Sequence, residues 1–489
     1  MMTFGPRLGP YAAFPLIIIA AISNCCVASF DPNLLGNLNV VPKYSETFHL
    51  DASLLGLNLA LVNAGQVVTG PFAGPILDRW GRRAGMIAGS VFLLVATTLQ
   101  TTAKTEAQLA VGRFFVGICL GIVLAGAPVW VAELAPPTSR GVYLGLLISS
   151  LLFMGVLVGL TVLWTFNLDS DWAWRPGFVV EGAFAVISIV LILFADESPR
   201  WLVSQGRNEE AMEIIARLHA KGDREHPLVQ VQMAEIVDAI RTESQNESAW
   251  KTLIHPKPNL ERFSIAILTQ IFYQVTGSNT LLSYFPIIIF SAGITDTRML
   301  IIINMCIFGG TFFLTPIGGY LSERVGRRIL FLAGTASMTA ALAVLAILGY
   351  YGEGGDRVYG ICSIAMVVVF QFASSLSWML LSFSYPLEIL KFSQRAKGMA
   401  IAQSIGYAFG FLNLYTIPIA IERIGWRYYA ANAGWNAAIL IIVYLWFKET
   451  KGRTLEEIDG VFEKDVDVTG ELVVPKKLAD CLEKKSSGP

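Results

Sequence analysis

The chain has 489 residues, of which 54% are hydrophobic and 15% charged, with a formal net charge of −1 and a mean hydropathy of +0.57. Soluble domains average about 45–50% apolar and about 25% charged residues, so this balance places the chain in a bilayer. It supplies no basic field for nucleic acid, and the six cysteines show no metal-ligand spacing.

A helix that crosses a bilayer needs about 20 apolar residues. In chain order such runs fall near 12–38, 54–76, 84–103, 107–131, 141–166 and 174–194. A second set follows near 263–290, 299–321, 328–350, 360–386, 396–420 and 427–447. The pattern predicts an all-α membrane protein of twelve transmembrane helices in two six-helix bundles, 1–194 and 261–448. A polar linker, 195–260, joins them and a tail, 449–489, follows. The first run is too long for a cleaved signal and is expected to stay as a span. In the linker, Asn208 is expected to cap a helix with Met212, Ile215, Leu218 and His219 on one face, followed by a second amphipathic stretch over 229–240. Basic residues concentrate in the connections between spans 2–3, 4–5, 8–9 and 10–11. The positive-inside rule therefore puts the linker and both termini in the cytosol.

One short arrangement of charges occurs twice. Gly74 to Arg83 ends in Asp78-Arg-Trp-Gly81-Arg82-Arg83, and Gly319 to Arg328 ends in Glu323-Arg-Val-Gly326-Arg327-Arg328. Downstream, Glu133 precedes Arg140 by seven positions, as Glu388 precedes Arg395. Each half closes on a further pair, Glu197 with Arg200 and Glu449 with Arg453. Matched landmarks at matched offsets indicate an internal duplication, and a duplicated membrane chain reads as a carrier. A carboxylate beside two guanidiniums can form charge-assisted pairs with helix ends and with Glu133 or Glu388, which would latch the inner side. Plain topology determination by positive charge is the alternative, and both can hold.

These motifs, with Pro128-Val-Trp-Val-Ala-Glu133 and Glu449-Thr-Lys-Gly-Arg-Thr-Leu-Glu-Glu457, resemble the sugar porter family of the major facilitator superfamily from about Asp31 to Phe462. The second half looks most like fungal hexose, lactose and quinate carriers. The resemblance implies two pseudo-symmetric bundles, transport without cofactor or ATP, a small sugar-like substrate and a plasma-membrane address. No phosphate-binding Gly-rich loop or metal cluster points to an enzyme or pump.

Charges inside the bilayer cost about 2.5–3.5 kcal/mol each on insertion scales unless paired or wet. Asp31, Arg113 and Glu181 should share one depth in the outer half, where an acid, a base and a second acid can pair and switch on protonation. The resemblance supports this, because proton-coupled sugar porters carry an Asp at the Asp31 position. Trp174-Arg175 followed by Glu181 resembles bacterial proton-coupled xylose carriers. For the substrate, Gln274, Asn279 and Tyr284 of span 7 match the family's amide and tyrosine pattern. Ser149 stands where span 5 usually has an amide, and Trp378 and Tyr385 could offer a platform to a pyranose face. Departures at Tyr273, Ser283, Ser149 and Gly406-Tyr407 leave the solute open. A facilitative uniporter, a secondary-metabolite exporter and a nutrient sensor on the same scaffold are the alternatives.

Overall fold

The computed structural model describes residues 10–39, 41–135, 140–245, 253, 255, 257–278, 281, 284, 296–352, 357–452 and 462. Within it, some side chains lie outside the description, those of Arg140 and Arg395 among them. Met1–Gly452 forms one unit; of the second, Arg453–Pro489, only Phe462 is described.

The first bundle is built from α1 (Pro10–Leu38), the short α2 (Pro42–Phe48), α3 (Ala52–Trp80), α4 (Arg82–Thr101), α5 (Glu106–Leu134), α6 (Arg140–Thr165) and α7 (Arg175–Phe194). Three linker helices follow: α8 (Pro199–Ser204), α9 (Asn208–His219) and α10 (Pro227–Gln245). The second bundle holds α11 (Lys257–Val275), α12 (Thr297–Val325), α13 (Arg327–Tyr351), α14 (Arg357–Leu376), α15 (Trp378–Ile389), α16 (Phe392–Ile424) and α17 (Arg427–Trp446). Among the described residues, ten helices are long and apolar enough to cross a membrane, and Ser149–Thr165 is a shorter apolar one.

Local chemistry sets the breaks. Asp51 starts α3 by accepting from the Leu54 amide (2.7 Å), and Thr105 starts α5 by accepting from the Gln108 amide (3.4 Å). Gly81 ends α3 at φ +96° and Gly326 ends α12 at φ +114°, so each duplicated motif turns on a residue without a Cβ and restarts a helix at once. Inside the first bundle, α3 and α5 meet through glycines. A methyl on Gly117 would fall 2.1 Å from the Val62 carbonyl oxygen, and one on Gly65 2.4 Å from that of Phe114. Close backbone approach of this kind stands in for the hydrophobic effect that lipid cannot supply. The rest of the core is aliphatic and aromatic, with Met86, Leu93, Val116, Val123 and Trp130 fully buried. Apolar side chains such as Phe313, Leu445 and Trp164 point outward, as a lipid-facing surface requires.

Three elements differ from expectation. The tenth span is not one helix: it breaks at Ser377, between α14 and α15, where the Ser377 amide bonds three residues back to Ser374 (3.2 Å). The serine cluster there spends its hydroxyls on Ser278, Gln371 and Ala373, a recognised cause of kinks. The seventh span breaks after Val275, where Gly277 takes φ +96°, and Ser278, Leu281 and Tyr284 beyond it are helical again. The carbonyls freed at the break are held from neighbouring spans: Asn436 donates to Thr276 (3.1 Å) and Gln371 to Ser278 (3.2 Å). In the linker Asn208 is the first helical residue and makes no cap bond, Arg207 preceding it. The buried face of α9 carries Ala211, Ile215 and Ala216, packed on Leu202, Val229 and Met233.

Candidate functional site

Three groups of polar side chains stand out from the apolar mass. The first is the pair of charge clusters at the arginine-bearing ends. Arg82 grips Glu133 with two bonds, Nε to Oε2 and Nη2 to Oε1, both 3.1 Å, and reaches Asp78 with Nη1 at 3.1 Å. Glu197 accepts from the backbone amides of Arg82 (3.1 Å), Arg83 (3.2 Å) and Ser198 (2.9 Å). A carboxylate thus sits on the N-terminus of α4, where free N–H groups and the helix dipole favour an anion. The second half repeats this arrangement, with both guanidinium bonds on one carboxylate oxygen. Arg327 donates Nε (3.2 Å) and Nη2 (3.1 Å) to Glu388, and Glu449 accepts from the amides of Arg327 (2.8 Å) and Arg328 (3.1 Å). The remaining guanidiniums cap helix C-termini: Arg83 donates to the Leu193 carbonyl and Arg328 to that of Tyr444. Glu323, the counterpart of Asp78, is exposed, and Arg200 lies half-buried in α8. Arg140 begins α6 and Arg395 lies in the first turn of α16, with their side chains outside the described residues.

A second group lies in the interior of the first bundle, towards its other end. Asp31, Arg113 and Glu181 are each 0% exposed. Arg113 Nη1 donates to Asp31 Oδ1, and the ring of Phe178 lies 5.9 Å beneath the guanidinium. Gln100 donates Nε2 to the other Asp31 oxygen at 2.7 Å. Neither Glu181 oxygen has a partner among the described residues, nor do Arg113 Nε and Nη2. One cation and two carboxyl groups, only one of them paired, are neutral overall when Glu181 holds a proton, and neutrality is what a dry interior demands. Gln100 is the residue that sequence reasoning missed; its signal was an amide closing α4 at the depth of Asp31.

The third group joins the two bundles. A methyl on Gly410 would lie 2.5 Å from Asn63 Nδ2 and 2.9 Å from Gln274 Oε1, so α3, α11 and α16 converge on one polar point. Asn413 donates to the Gln274 carbonyl (2.8 Å), and Gln270 donates to that of Ser382 (2.7 Å). Ser149 is buried in α6. Asn279 lies outside the described residues. Tyr284 spends its hydroxyl on the Leu414 carbonyl at 2.8 Å, which ties span 7 to α16.

Trp378 and Tyr385 have a different setting from the platform expected of them. Trp378 is 0% exposed, with Phe331 (4.6 Å) and Phe272 (6.4 Å) against it and its indole N–H on Thr335 (2.9 Å). Tyr385 stacks on Phe447 (5.4 Å, 7°) and donates to the Lys448 carbonyl (2.8 Å). Both rings are fully buried packing anchors of the second bundle in this structure. Residue type alone suits a sugar platform and a packed core equally, and these two rings lie just beyond the break at Ser377.

Contacts between the bundles concentrate away from the arginines. Asn304 donates to Asn37 (3.1 Å), and Phe153 packs on Phe312 (5.8 Å). A methyl on Gly56 would come 2.6 Å from the Tyr415 carbonyl oxygen. The charge-cluster pairs described above each stay within one bundle.

With this geometry in hand, comparison with known proteins is direct. The sequence signature of the family described as "Sugar (and other) transporter" matches residues 16–462. The chain is 31% identical over 419 residues to high-affinity glucose transporter 1 of Candida albicans, covering 80% of this chain and 75% of that one. It is 27% identical over 465 residues to the MFS-type transporter oryC of Aspergillus oryzae, covering 92% and 85%. An inward-open structure of the xylose transporter XylE from E. coli superposes with a TM-score of 0.76 at 20% identity, over 92% of this chain and 99% of that one. A structure of the proton:xylose symporter XylE bound to 6-bromo-6-deoxy-D-glucose gives a TM-score of 0.73 at 20% identity, covering 92% and 99%. The chain therefore belongs to the sugar (and other) transporter family, and is a multi-pass membrane protein with the two-bundle fold of the major facilitator superfamily.

Proposed function

We propose that this chain is a secondary active carrier that brings a sugar or sugar-like polyol across the plasma membrane together with a proton, by alternating access of its two bundles. The observation that carries the reading is the sealed core of Asp31, Arg113 and Glu181. An ion pair whose carboxylate can be neutralised, beside a second carboxyl able to take over the cation, is a two-position switch. A proton arriving on Asp31 releases Arg113 to Glu181, and the change of pairing moves α1, α5 and α7 relative to one another. Both termini and the linker lie in the cytosol on this reading, and the solute meets Gln274, Asn63 and their neighbours between the bundles. Asn279 joins them as a proposed contact. The Arg82 and Arg327 clusters, with Arg140, Arg200 and Arg395, act as latches that hold each bundle's cytosolic rim rigid in one state and part in the other. Relatives named for glucose transport and for proton:xylose symport support the solute class and the coupling.

The test is uptake of labelled hexoses, pentoses, lactose, quinate and glycerol in a carrier-deficient host, with and without a protonophore. One solute accumulates, and the protonophore abolishes its accumulation. Asp31→Asn then loses accumulation while equilibrative exchange of that solute continues; unchanged uphill uptake in this variant would sink the coupling role. A second reading, export of a less polar metabolite, is favoured by Ser149 and Tyr407 in place of amide and tryptophan. It wins if no panel member enters cells that display the protein.

A further inference from the structure

Two turns inward from the charged core, the first bundle holds a second polar layer that the transport scheme leaves without a task. Asn24 on α1 donates through Nδ2 to Ser90 Oγ on α4 (2.8 Å) and to Ser188 Oγ on α7 (3.1 Å). Asn24 and Ser90 are 2% exposed and Ser188 0%. The Asn24 Oδ1 atom has no partner among the described residues. Other serines of the bundle, such as Ser23, Ser29 and Ser150, turn their hydroxyls back onto a carbonyl three residues earlier. Those of Ser90 and Ser188 instead accept from Asn24, which leaves both protons to be donated into the same space. One unspent acceptor and two unspent donors in a buried layer form a donor set that binds water.

The layer is in register with the core. Seven residues separate Glu181 from Ser188 on α7, Asp31 from Asn24 on α1, and Thr97 (which faces Gly182) from Ser90 on α4. Seven residues return a helix to the same face about 10.5 Å further on. A water held at this layer would therefore stand about two helical turns from Glu181. Small buried side chains occupy the depth between the two layers, Ala185 on α7 and Cys119 on α5 among them. Eight residues beyond Ser188, Asp196 pairs with Arg217 of the linker at the arginine-bearing rim.

We propose that Asn24, Ser90 and Ser188 form an internal water-binding station through which the proton of Glu181 leaves for the cytosol, inside the first bundle and apart from the solute's path. The inference rests on the proton-coupled reading. A proton from outside neutralises Asp31, and Arg113 pairs with Glu181. The Glu181 O–H bond breaks and its proton passes to the station's water. The core is neutral before and after these two transfers, first with Asp31 as the anion and then with Glu181, and the positive charge between them drives the second transfer. Transfer of the Asp31 proton to Glu181, with Arg113 returning to Asp31, resets the cycle, so one proton has entered and one has left. Arg113 and Cys119 on α5 interact electrostatically with Glu181, and Asp31 and Cys25 on α1 partner those two in turn. The described part of α4 carries no titratable group after Arg83, and Tyr143 of α6 lies in that helix's first turn.

The experiment is an internal pH jump on the purified protein in liposomes, following the infrared carboxyl stretch of protonated Glu181, assigned by its loss in Glu181→Gln. In the unmodified protein the band answers the internal jump. Asn24→Leu slows that answer by about tenfold or more, and Asn24→Ser, which keeps a polar group, restores most of it. The double variant Ser90→Ala/Ser188→Ala gives the same slowing and serves if Asn24→Leu does not fold. An unmodified band that ignores internal pH, or a response in Asn24→Leu or the double variant as fast as that of the unmodified protein, overturns the station. If the band behaves as expected but a pH gradient drives no D-glucose or other panel solute, the transport reading fails and the station stands.

Discussion

Glu197 holds three backbone amides at the start of α4 and α8, and the task has an electrostatic cost. Burial pushes its carboxyl above the ordinary value of 4.5, with the amide bonds and Arg82 only partly offsetting it. An acid raised in the folded state binds more protons there than when unfolded. Its contribution to stability is complete below the ordinary value and is lost as pH rises through the folded one. Glu197→Gln should therefore flatten the melting temperature against pH just above the glutamate range. A variant whose slope equals that of the unmodified protein would show that other groups carry it. Arg82→Ala tests the opposite partner. Glu133 would be left largely buried without its two strong bonds, so a loss of about 3–5 kcal/mol is expected in thermal or denaturant unfolding. Gln100→Leu removes a donor from ionised Asp31 and so favours its protonated form. The optimum of proton-driven uptake should then move to higher external pH, and an unmoved optimum would reduce Gln100 to packing.

Elements differ in how openly their sequence announces them. The charge clusters were legible because Arg, Glu and Gly recur at matched offsets, and a charge in an apolar run such as Arg113 can only be paired or wet. Aromatic side chains carry no such constraint. Trp378 and Tyr385 satisfy a packed core as readily as a sugar face, and the packing that decides between them is a tertiary event. The break in span 7 is half legible: a glycine inside an apolar run, Gly277, permits it, but the side chains that hold the freed carbonyls, Asn436 and Gln371, lie about 160 and 90 residues away. Where backbones touch, the expected effect of a change is sharper. Gly117→Val meets the Val62 carbonyl rather than a flexible side chain, so it should destabilise the first bundle by about 1–3 kcal/mol or more. Thermal unfolding in detergent reads this directly, with Gly309→Ala, whose added methyl meets nothing within 4 Å, as the neutral comparison.

For the whole molecule, the contact between Asn37 and Asn304 closes the bundles on each other at the end away from the arginines. A carrier that alternates must open that contact once per cycle. Asn37→Cys combined with Asn304→Cys should therefore stop transport on oxidation and recover it on reduction, while each single variant responds to neither. Transport that continues with the cross-link formed would mean that this seam never parts.

The two repeats have also diverged in what they hold. The acid–base core and its polar layer lie wholly in the first bundle, whereas both broken spans, at Gly277 and Ser377, lie in the second. Duplication gave two copies of one scaffold, and on the proposed reading the copies have since specialised, the first holding the proton-coupling core and the second the spans that break. Inheritance can then act on them separately. If that reading holds, a lineage could refit the breaking spans to another solute and leave the proton-coupling core unaltered.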